Sequence, residues 1–298
     1  MKLAAIDIGS NAARLLITEV TESSSGETQF NKLNLIRVPL RLGFDVFESG
    51  RISASKANKL LETIKAYKHL LSIYEVTHVK ACATSAMRDA SNADEILRKV
   101  HKETGIEIKV ISGDEEASYI YENHIADNMD TDHSYLYIDV GGGSTELTFF
   151  SNGKLLFKKS FNIGTIRILK EQVTEADWEE MKEYVKTGTK GFNNLVAIGS
   201  GGNINKVFSL SKRKEGKSLS LDTLKDYYKE LSSFNLEQRM ELYKLREDRA
   251  DVIVPALQIY VHVMRWASIE EIYVPKIGLA DGLIHLLYDE LKKESTTA

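Results

Sequence analysis

Residues 135–150 read YLYIDVGGGSTELTFF. Apolar side chains alternate into Asp139, then come Gly141, Gly142 and Gly143, and Ser144-Thr145-Glu146 opens a second apolar run. The pattern predicts a strand, a tight glycine turn and a returning strand, with a carboxylate at each lip of the turn. Glycines lack the Cβ that would hold an anion away, so their N–H groups can come close to one. The pattern recurs at the start of the chain, where Leu3 to Asp7 and Ile8 lead into Gly9-Ser10-Asn11 and on to Leu15-Leu16-Ile17. Asp7 stands seven residues before Arg14, and Asp139 seven before Glu146. A single hairpin of this kind is ordinary turn chemistry, since Asp before Gly is common in turns. Two such hairpins predict two halves gripping one phosphate-rich ligand.

The chain between them supports a duplication. Strands are predicted at 3–8, 13–20 and 33–42, then a helix begins at Ser53 with apolar residues at helical spacing. A strand at 78–83, a helix from Ser91 or Asn92 to Gly105, a strand at 106–111 and a helix over 113–126 complete a β-β-β-α-β-α-β-α run. The polar stretch DNMDTDH at 127–133 marks the boundary. The order then repeats, with strands at 135–140, 145–151 and 154–161, the last two joined by Asn152-Gly153. A helix at 175–186, a strand at 195–198, a helix after Gly202, a strand at 271–274 and a helix at 278–291 follow. Two helices at about 219–245 and 247–266 read as an insertion. The expected fold is therefore α/β, with domains at 1–126 and 127–298 around a central cleft.

The totals exclude several classes. With 39 basic and 43 acidic residues the formal charge is −4, which does not suit a general nucleic-acid or membrane-surface binder. A single cysteine, Cys82, fits a reducing compartment, and the scattered histidines lack zinc-site spacing. No run of about 18 apolar residues occurs, and Met1-Lys2 leads straight into a strand. A cytoplasmic location is expected.

Ligands of open α/β sheets collect at the carboxyl ends of strands. In the first half those turns carry Gly9-Ser10-Asn11, Thr84-Ser85 with Arg88, and Ser112-Gly113-Asp114-Glu115-Glu116. In the second they carry Gly141 to Thr145, Gly199-Ser200-Gly201-Gly202-Asn203, and residues 275–281. Glycine and small hydroxyl residues suit phosphate oxygens, which take N–H and O–H donors at close range. Ser112 and Glu115 fit a capping box, which gives Glu115 a structural task and leaves Glu116 as a candidate base for water. An early-helix glutamate taken alone is more often a partner of the helix dipole. Asp139 and Glu146 suit magnesium, and Arg14 and Arg88 could each clamp phosphate; the alternative for Arg88 is a surface position before the Asn92 cap. The basic run Lys212-Arg213-Lys214 with Lys217 reads first as a solvated loop, although a long anionic substrate could use it.

AIDIGSNAARLLI (5–17), RLGFDVFESGRIS (41–53), ATSAMRDASN (83–92), ISGDEEA (111–117), YIDVGGGSTEL (137–147), AIGSGGNI (197–204) and GLADGLI (278–284) together resemble the exopolyphosphatase/guanosine pentaphosphate phosphohydrolase family. That family lies within the actin, Hsc70 and sugar kinase superfamily. The resemblance implies two ribonuclease-H-like domains and hydrolysis of terminal phosphoanhydride bonds. It implies Glu116 as catalytic base with Arg88 alongside, and Asp139 and Glu146 serving magnesium or another divalent cation, with Asp7 as the matching carboxylate. It also implies Gly9, Ser10, Asn11 and Gly141, Gly142, Gly143, Ser144, Thr145 as the phosphate loops; Arg14, Thr84, Ser85, Gly201 and Gly202 are phosphate candidates from the reading of the turns alone. A homodimer and a part in the stringent response come from the resemblance alone. Ala12 replaces a residue that is often a small hydroxyl in the family, and Leu279-Ala280-Asp281 replaces a motif often written with Arg and Glu. Longer members carry a further helical region that grips long chains.

The expected activity is release of the end phosphate of inorganic polyphosphate. Cleavage of guanosine pentaphosphate keeps the same site and adds a base-and-ribose pocket near Gly201-Gly202-Asn203 and Arg249. An ATP-dependent kinase and a non-catalytic polyphosphate binder are the more distant alternatives.

Overall fold

Leu3, Ala4, Ala5, Ile6 and Ile8 are all buried, so strand β1 (Lys2–Ile8) is apolar on both faces and lies inside its sheet. The computed structural model describes residues 1–23, 27–121, 133–275 and 277–297. Strand β2 (Ala12–Glu22) runs antiparallel to β1, and β3 (Thr28–Pro39) antiparallel to β2. Helices α1 (Leu42–Ser49) and α2 (Ala54–Ile73) follow, then β4 (His78–Ala83), which is parallel to β1. Next come α3 (Ser85–Asp89), α4 (Ala93–Thr104), β5 (Lys109–Val110) and α5 (Gly113–Tyr121). The sheet order is β3-β2-β1-β4-β5.

Local chemistry sets the helix ends. The Ser53 hydroxyl accepts from the Lys56 N–H at 3.4 Å, and Gly105, at φ 74°, donates its N–H to the His101 carbonyl at 2.7 Å. The strand expected at 33–42 stops at Pro39, because Leu42, Val46 and Phe47 turn inward at helical spacing to form α1. The strand expected at 106–111 pairs only at Lys109–Val110, a short edge. The expected boundary at 127–133 lies, His133 apart, outside the described residues, as does the end of the helix expected to 126.

The second half begins with β6 (Ser134–Val140), β7 (Thr145–Ser151) and β8 (Lys154–Phe161). Asn152 and Gly153 join the last two at φ 51° and 69°, the left-handed pair that a tight hairpin needs. Helix α6 (Thr165–Leu169), which the pattern does not signal, precedes α7 (Glu175–Gly188), β9 (Leu195–Ser200) and α8 (Gly202–Leu210). The region read as two insertion helices is instead β10 (Leu219–Ser220) and four helices. These are α9 (Leu221–Ser232), α10 (Leu236–Tyr243), α11 (Glu247–Ala250) and α12 (Ile253–Trp266). Asn235 and Gln238 form a capping box that restarts the helix, and Lys244 at φ 50° ends it. Strand β11 (Glu271–Tyr273) and α13 (Leu279–Thr297) close the chain order, and this sheet runs β10-β11-β9-β6-β7-β8.

Each sheet thus has three antiparallel strands in hairpin order, then two parallel ones, to which the second sheet adds the antiparallel edge strand β10; Asp7 stands opposite Arg14 in one and Asp139 opposite Glu146 in the other. This is the duplicated ribonuclease-H-like fold. The chain divides into Met1–Asn123 with Gly278–Ala298, and His124–Ile277. The last helix therefore departs from the expected 127–298 domain: α13 buries Leu283, Ile284, Leu287 and Tyr288 and packs on β1, β2, β4 and α5. Asp281 fastens its start, accepting from the Gly278 N–H at 2.8 Å and pairing with Lys32 of β3 at 2.5 Å. No helix among the described residues is long and apolar enough to cross a membrane.

In the second unit, the chain's two tryptophans, Trp178 of α7 and Trp266 of α12, both pack on the His262 ring, at 5.1 and 5.4 Å between centroids. Burial, with the Arg265 charge second, lowers the His262 pKa from its usual 6.5. The unfolded chain takes up this proton first, so stability is expected to fall as pH drops below 6.5 toward the folded-state pKa. Tryptophan emission followed against pH, with His262→Phe as the reference lacking that slope, measures it.

Candidate active site

The glycine turn of the second unit is closed by a bond from the Gly141 N–H to the Ser144 carbonyl at 2.9 Å. Its next carbonyls all face the α6 segment. Gly141 O accepts from Thr165 N at 3.0 Å, Gly142 O from Ile166 N at 2.8 Å, and Gly143 O from Arg167 Nε at 2.8 Å. A planar trans peptide directs each following N–H the opposite way. The N–H groups of Gly142, Gly143 and Ser144 therefore share the side away from α6, and among the described residues none donates to a backbone carbonyl. Successive donors turned to one side make an anion cradle.

Asp139 and Glu146 face each other across β6 and β7, and directly opposed side chains lie about 5 Å apart on one face. Glu146 is buried and its Oε1 accepts from the Ser160 hydroxyl of β8 at 2.7 Å. On the other flank Asp139 is in register with Ser200 of β9, which brings Gly201 beside it. Gly201 has φ 109°, and a Cβ there would stand 3.2 Å from the Val140 carbonyl and 3.3 Å from Asp139 Oδ1. Below, buried Tyr260 of α12 donates to the Ser200 carbonyl, and its phenol pKa is raised by burial and by the Asp139 charge. The Arg249 guanidinium covers Gly202 and donates to Asn203 Oδ1 at 2.7 Å.

In the first unit Asp7 is buried and accepts from Arg14 Nη1 at 2.7 Å. Gly9-Ser10-Asn11 forms the turn, with the Gly9 N–H on the Ala12 carbonyl at 3.0 Å. The Ser10 and Ser85 hydroxyls lie 2.7 Å apart, locking this turn to the start of α3, where Thr84 is also buried. Arg88 is half-buried, and its Nη1 donates to the Ile111 carbonyl at 2.8 Å, tying α3 to the turn that starts α5. Burial, then the charges of Asp7 and Glu116, raise the pKa of Cys82, which lies in register with Asp7. Both carboxylates thus act on one end of this sheet.

The two adjacent glutamates separate as their positions require. Glu115 completes the capping box: Ser112 N donates to its Oε2 at 2.9 Å, its own N–H reaches Ser112 Oγ at 3.1 Å, and Lys109 holds its Oε1 at 2.7 Å. The bond from Lys109 and then that from Ser112 depress its pKa to about 2. Glu116, the fourth residue of α5, is buried.

A model of the Ppx/GppA phosphatase family matches residues 19–294. The chain belongs to the Ppx/GppA phosphatase family. It is 30% identical, over 80% of its own length, to a bifunctional 3-dehydroquinate synthase/phosphatase of Fusobacterium nucleatum, of which it spans 38%. It is 25% identical to exopolyphosphatase 1 of Mycobacterium tuberculosis, over 95% of the chain and 87% of that protein. A guanosine-5'-triphosphate,3'-diphosphate pyrophosphatase of Pseudoalteromonas translucida is 28% identical, over 97% of the chain and 59% of the relative. A solved exopolyphosphatase from Cytophaga hutchinsonii superposes with a TM-score of 0.84 at 26% identity, over 97% of this chain and 98% of that one. The expectation of a phosphoanhydride-hydrolysing enzyme agrees with membership of a Ppx/GppA phosphatase family.

Within each unit, the expected residues gather at one end of the sheet, with two differences of role. Thr145 spends its hydroxyl on the Ile163 carbonyl at 2.6 Å, and Arg14 engages Asp7. Sequence reasoning missed Ser160, Tyr260 and the 163–167 segment; only Gly164 before a threonine hinted at the last. The capping box supplies a test. Glu115→Ala should cost under about 1 kcal/mol at pH 7, since Lys109 and Glu115 are solvent-screened. A carboxyl depressed to about 2 stabilises above its ordinary 4.5, so the gap from wild type should close as pH falls between those values. Urea titrations across that range measure it.

Proposed function

We propose that this Ppx/GppA family member hydrolyses the terminal phosphoanhydride bond of inorganic polyphosphate. The observation that carries the reading is the run of three like-directed N–H donors at Gly142, Gly143 and Ser144 beside the Asp139–Glu146 pair. Such a site takes a phosphoryl group together with a hard cation. The kinship with exopolyphosphatase 1, which the chain spans almost throughout, favours polyphosphate as the substrate.

In this reading Glu116 accepts a proton from water as the water oxygen bonds to the terminal phosphorus. The bridging P–O bond breaks, and its electron pair leaves with the shortened chain. The Gly142, Gly143 and Ser144 N–H groups hold the oxygens of the reacting phosphoryl group, and Gly9, Ser10 and Asn11 orient the neighbouring phosphate. Arg88 uses one N–H on Ile111 and keeps others for the charge that develops. Gly201, lacking a Cβ beside Asp139, leaves that flank clear for the substrate, and Gly202 lies under the Arg249 guanidinium.

Two carboxylates opposed on adjacent strands, one of them buried, fit Mg2+, because like charges so placed are costly without a cation. Asp139 and Glu146 would hold it, while Asp7 already has Arg14 as its counter-charge. When bound, Mg2+ neutralises phosphate charge during transfer.

Guanosine pentaphosphate is the second reading. It is favoured by Arg249 and Asn203 at the edge of Gly202, where a nucleoside could be recognised, and by the Pseudoalteromonas relative.

Phosphate release from long polyphosphate, tripolyphosphate, guanosine pentaphosphate and ATP, with and without magnesium, separates the substrates. Glu116→Gln should slow release on the order of 10²-fold or more while substrate affinity holds. A variant releasing phosphate at the wild-type rate would remove Glu116 from the mechanism.

A further inference from the structure

We propose that Arg167 is a positioning residue that aims one N–H of the phosphate cradle, and that residues 163–167 act as the backing on which the cradle is formed. This rests on the reading of the glycine turn as a phosphate site.

A glycine run is free to point its peptides in many directions, so three like-directed N–H groups need an external constraint. The constraint is a set of bonds on the far side. Thr165 N, Ile166 N and Arg167 Nε occupy the carbonyls of Gly141, Gly142 and Gly143 in turn, and Thr145 Oγ1 fastens the end of the turn to Ile163. Each bond fixes one peptide plane, and with it the N–H of the following residue: Gly142, Gly143 and Ser144 respectively. The first two donors are backbone groups, which no substitution short of proline removes. The third is the Arg167 side chain, so the orientation of the Ser144 N–H depends on the identity of residue 167.

Close approach is built in at Gly164. A Cβ there would stand 2.5 Å from the backbone of Gly142 and Gly143, so any other residue would push the turn off its backing. The first unit repeats the device with different residues. There the Gly43 N–H donates to the Ser10 carbonyl at 2.8 Å and the Arg41 N–H to the Asn11 carbonyl at 2.9 Å. In both units the donors come from the start of a short helix that follows the third strand: Gly43 of α1 with its N-cap residue Arg41, and the first three residues of α6. Such a recurrence marks the backing as part of the phosphate-handling design, beyond its contribution to packing.

The test is a backbone-amide NMR titration with inorganic phosphate, the product of any substrate in this class, on wild type, Arg167→Leu and Arg167→Gln. In wild type, the Gly142, Gly143 and Ser144 amides should shift together on addition of phosphate. In Arg167→Leu, the Ser144 response should be lost while that of Gly142 remains, and phosphate should bind roughly five- to tenfold more weakly. Arg167→Gln keeps a neutral N–H donor and should restore much of both. Steady-state rates on tripolyphosphate should show KM rising more than kcat falls in the Leu variant, because this donor grips substrate before and during transfer. Retention of the Ser144 response and of phosphate affinity in Arg167→Leu, even with a lower Tm, would overturn the proposal. So would loss of all three amide responses that Arg167→Gln fails to restore. Phosphate binding without tripolyphosphate hydrolysis in wild type would overturn the substrate reading and leave the amide test standing.

Discussion

A trans peptide points its carbonyl and the next N–H in opposite directions, and the glycine turn depends on that constraint. A loop that offers three donors to a ligand turns three carbonyls the other way, and protein partners behind it hold that arrangement in place. Here the partners are Thr165, Ile166 and Arg167, brought to the turn because β8 ends at Phe161 and the chain turns back at Gly164. The strand register then places the acidic pair. With Asp139 opposite Glu146 and Ser200 alongside, the carboxylates, the glycine turn and the Gly201 flank fall at one end of one sheet without any long-range adjustment.

The two halves spend the same topology differently. The second unit sets two carboxylates across the hairpin, and the first sets Asp7 against Arg14, which balances its charge internally. On the proposed function, the internally balanced turn meets phosphate directly, and the acidic pair meets it with a cation. The first unit then adds what the second lacks at the matching place, a buried glutamate early in a helix whose cap is already satisfied by its neighbour. The two hairpins share a topology and differ at Arg14 and Glu146, and on the proposed mechanism those differences, with Glu116, give the halves distinct tasks.

Much of this was legible in the sequence because it rests on local rules. Strand alternation and the Asn152-Gly153 turn place β7 and β8, and the Ser112–Glu115 spacing separates a capping glutamate from its neighbour. The matching offsets from Asp7 and Asp139 expose the repeat. The missed elements are those whose formation is tertiary. Helix α6 is five residues long and exists because its N–H groups meet the turn, and α1 begins where Arg41 and Gly43 meet the first turn. Tyr260 lies far along the chain from the Ser200 carbonyl it meets, so no short-range pattern announces it. The placement of α13 escaped for the same reason: its amphipathic pattern says that one face is buried, and not against which sheet.

That last placement bears on how the protein is made. The first unit draws on Met1–Asn123 and on Gly278–Ala298, so its sheet waits for a helix translated after the whole of the second unit. During synthesis the strands of the first sheet emerge early, but β1, β2 and β4 lack the cover of Leu283, Ile284 and Leu287 until the whole of the second unit has been made. The first sheet is therefore covered only after the second unit has been synthesised, and its apolar face needs protection in the interval.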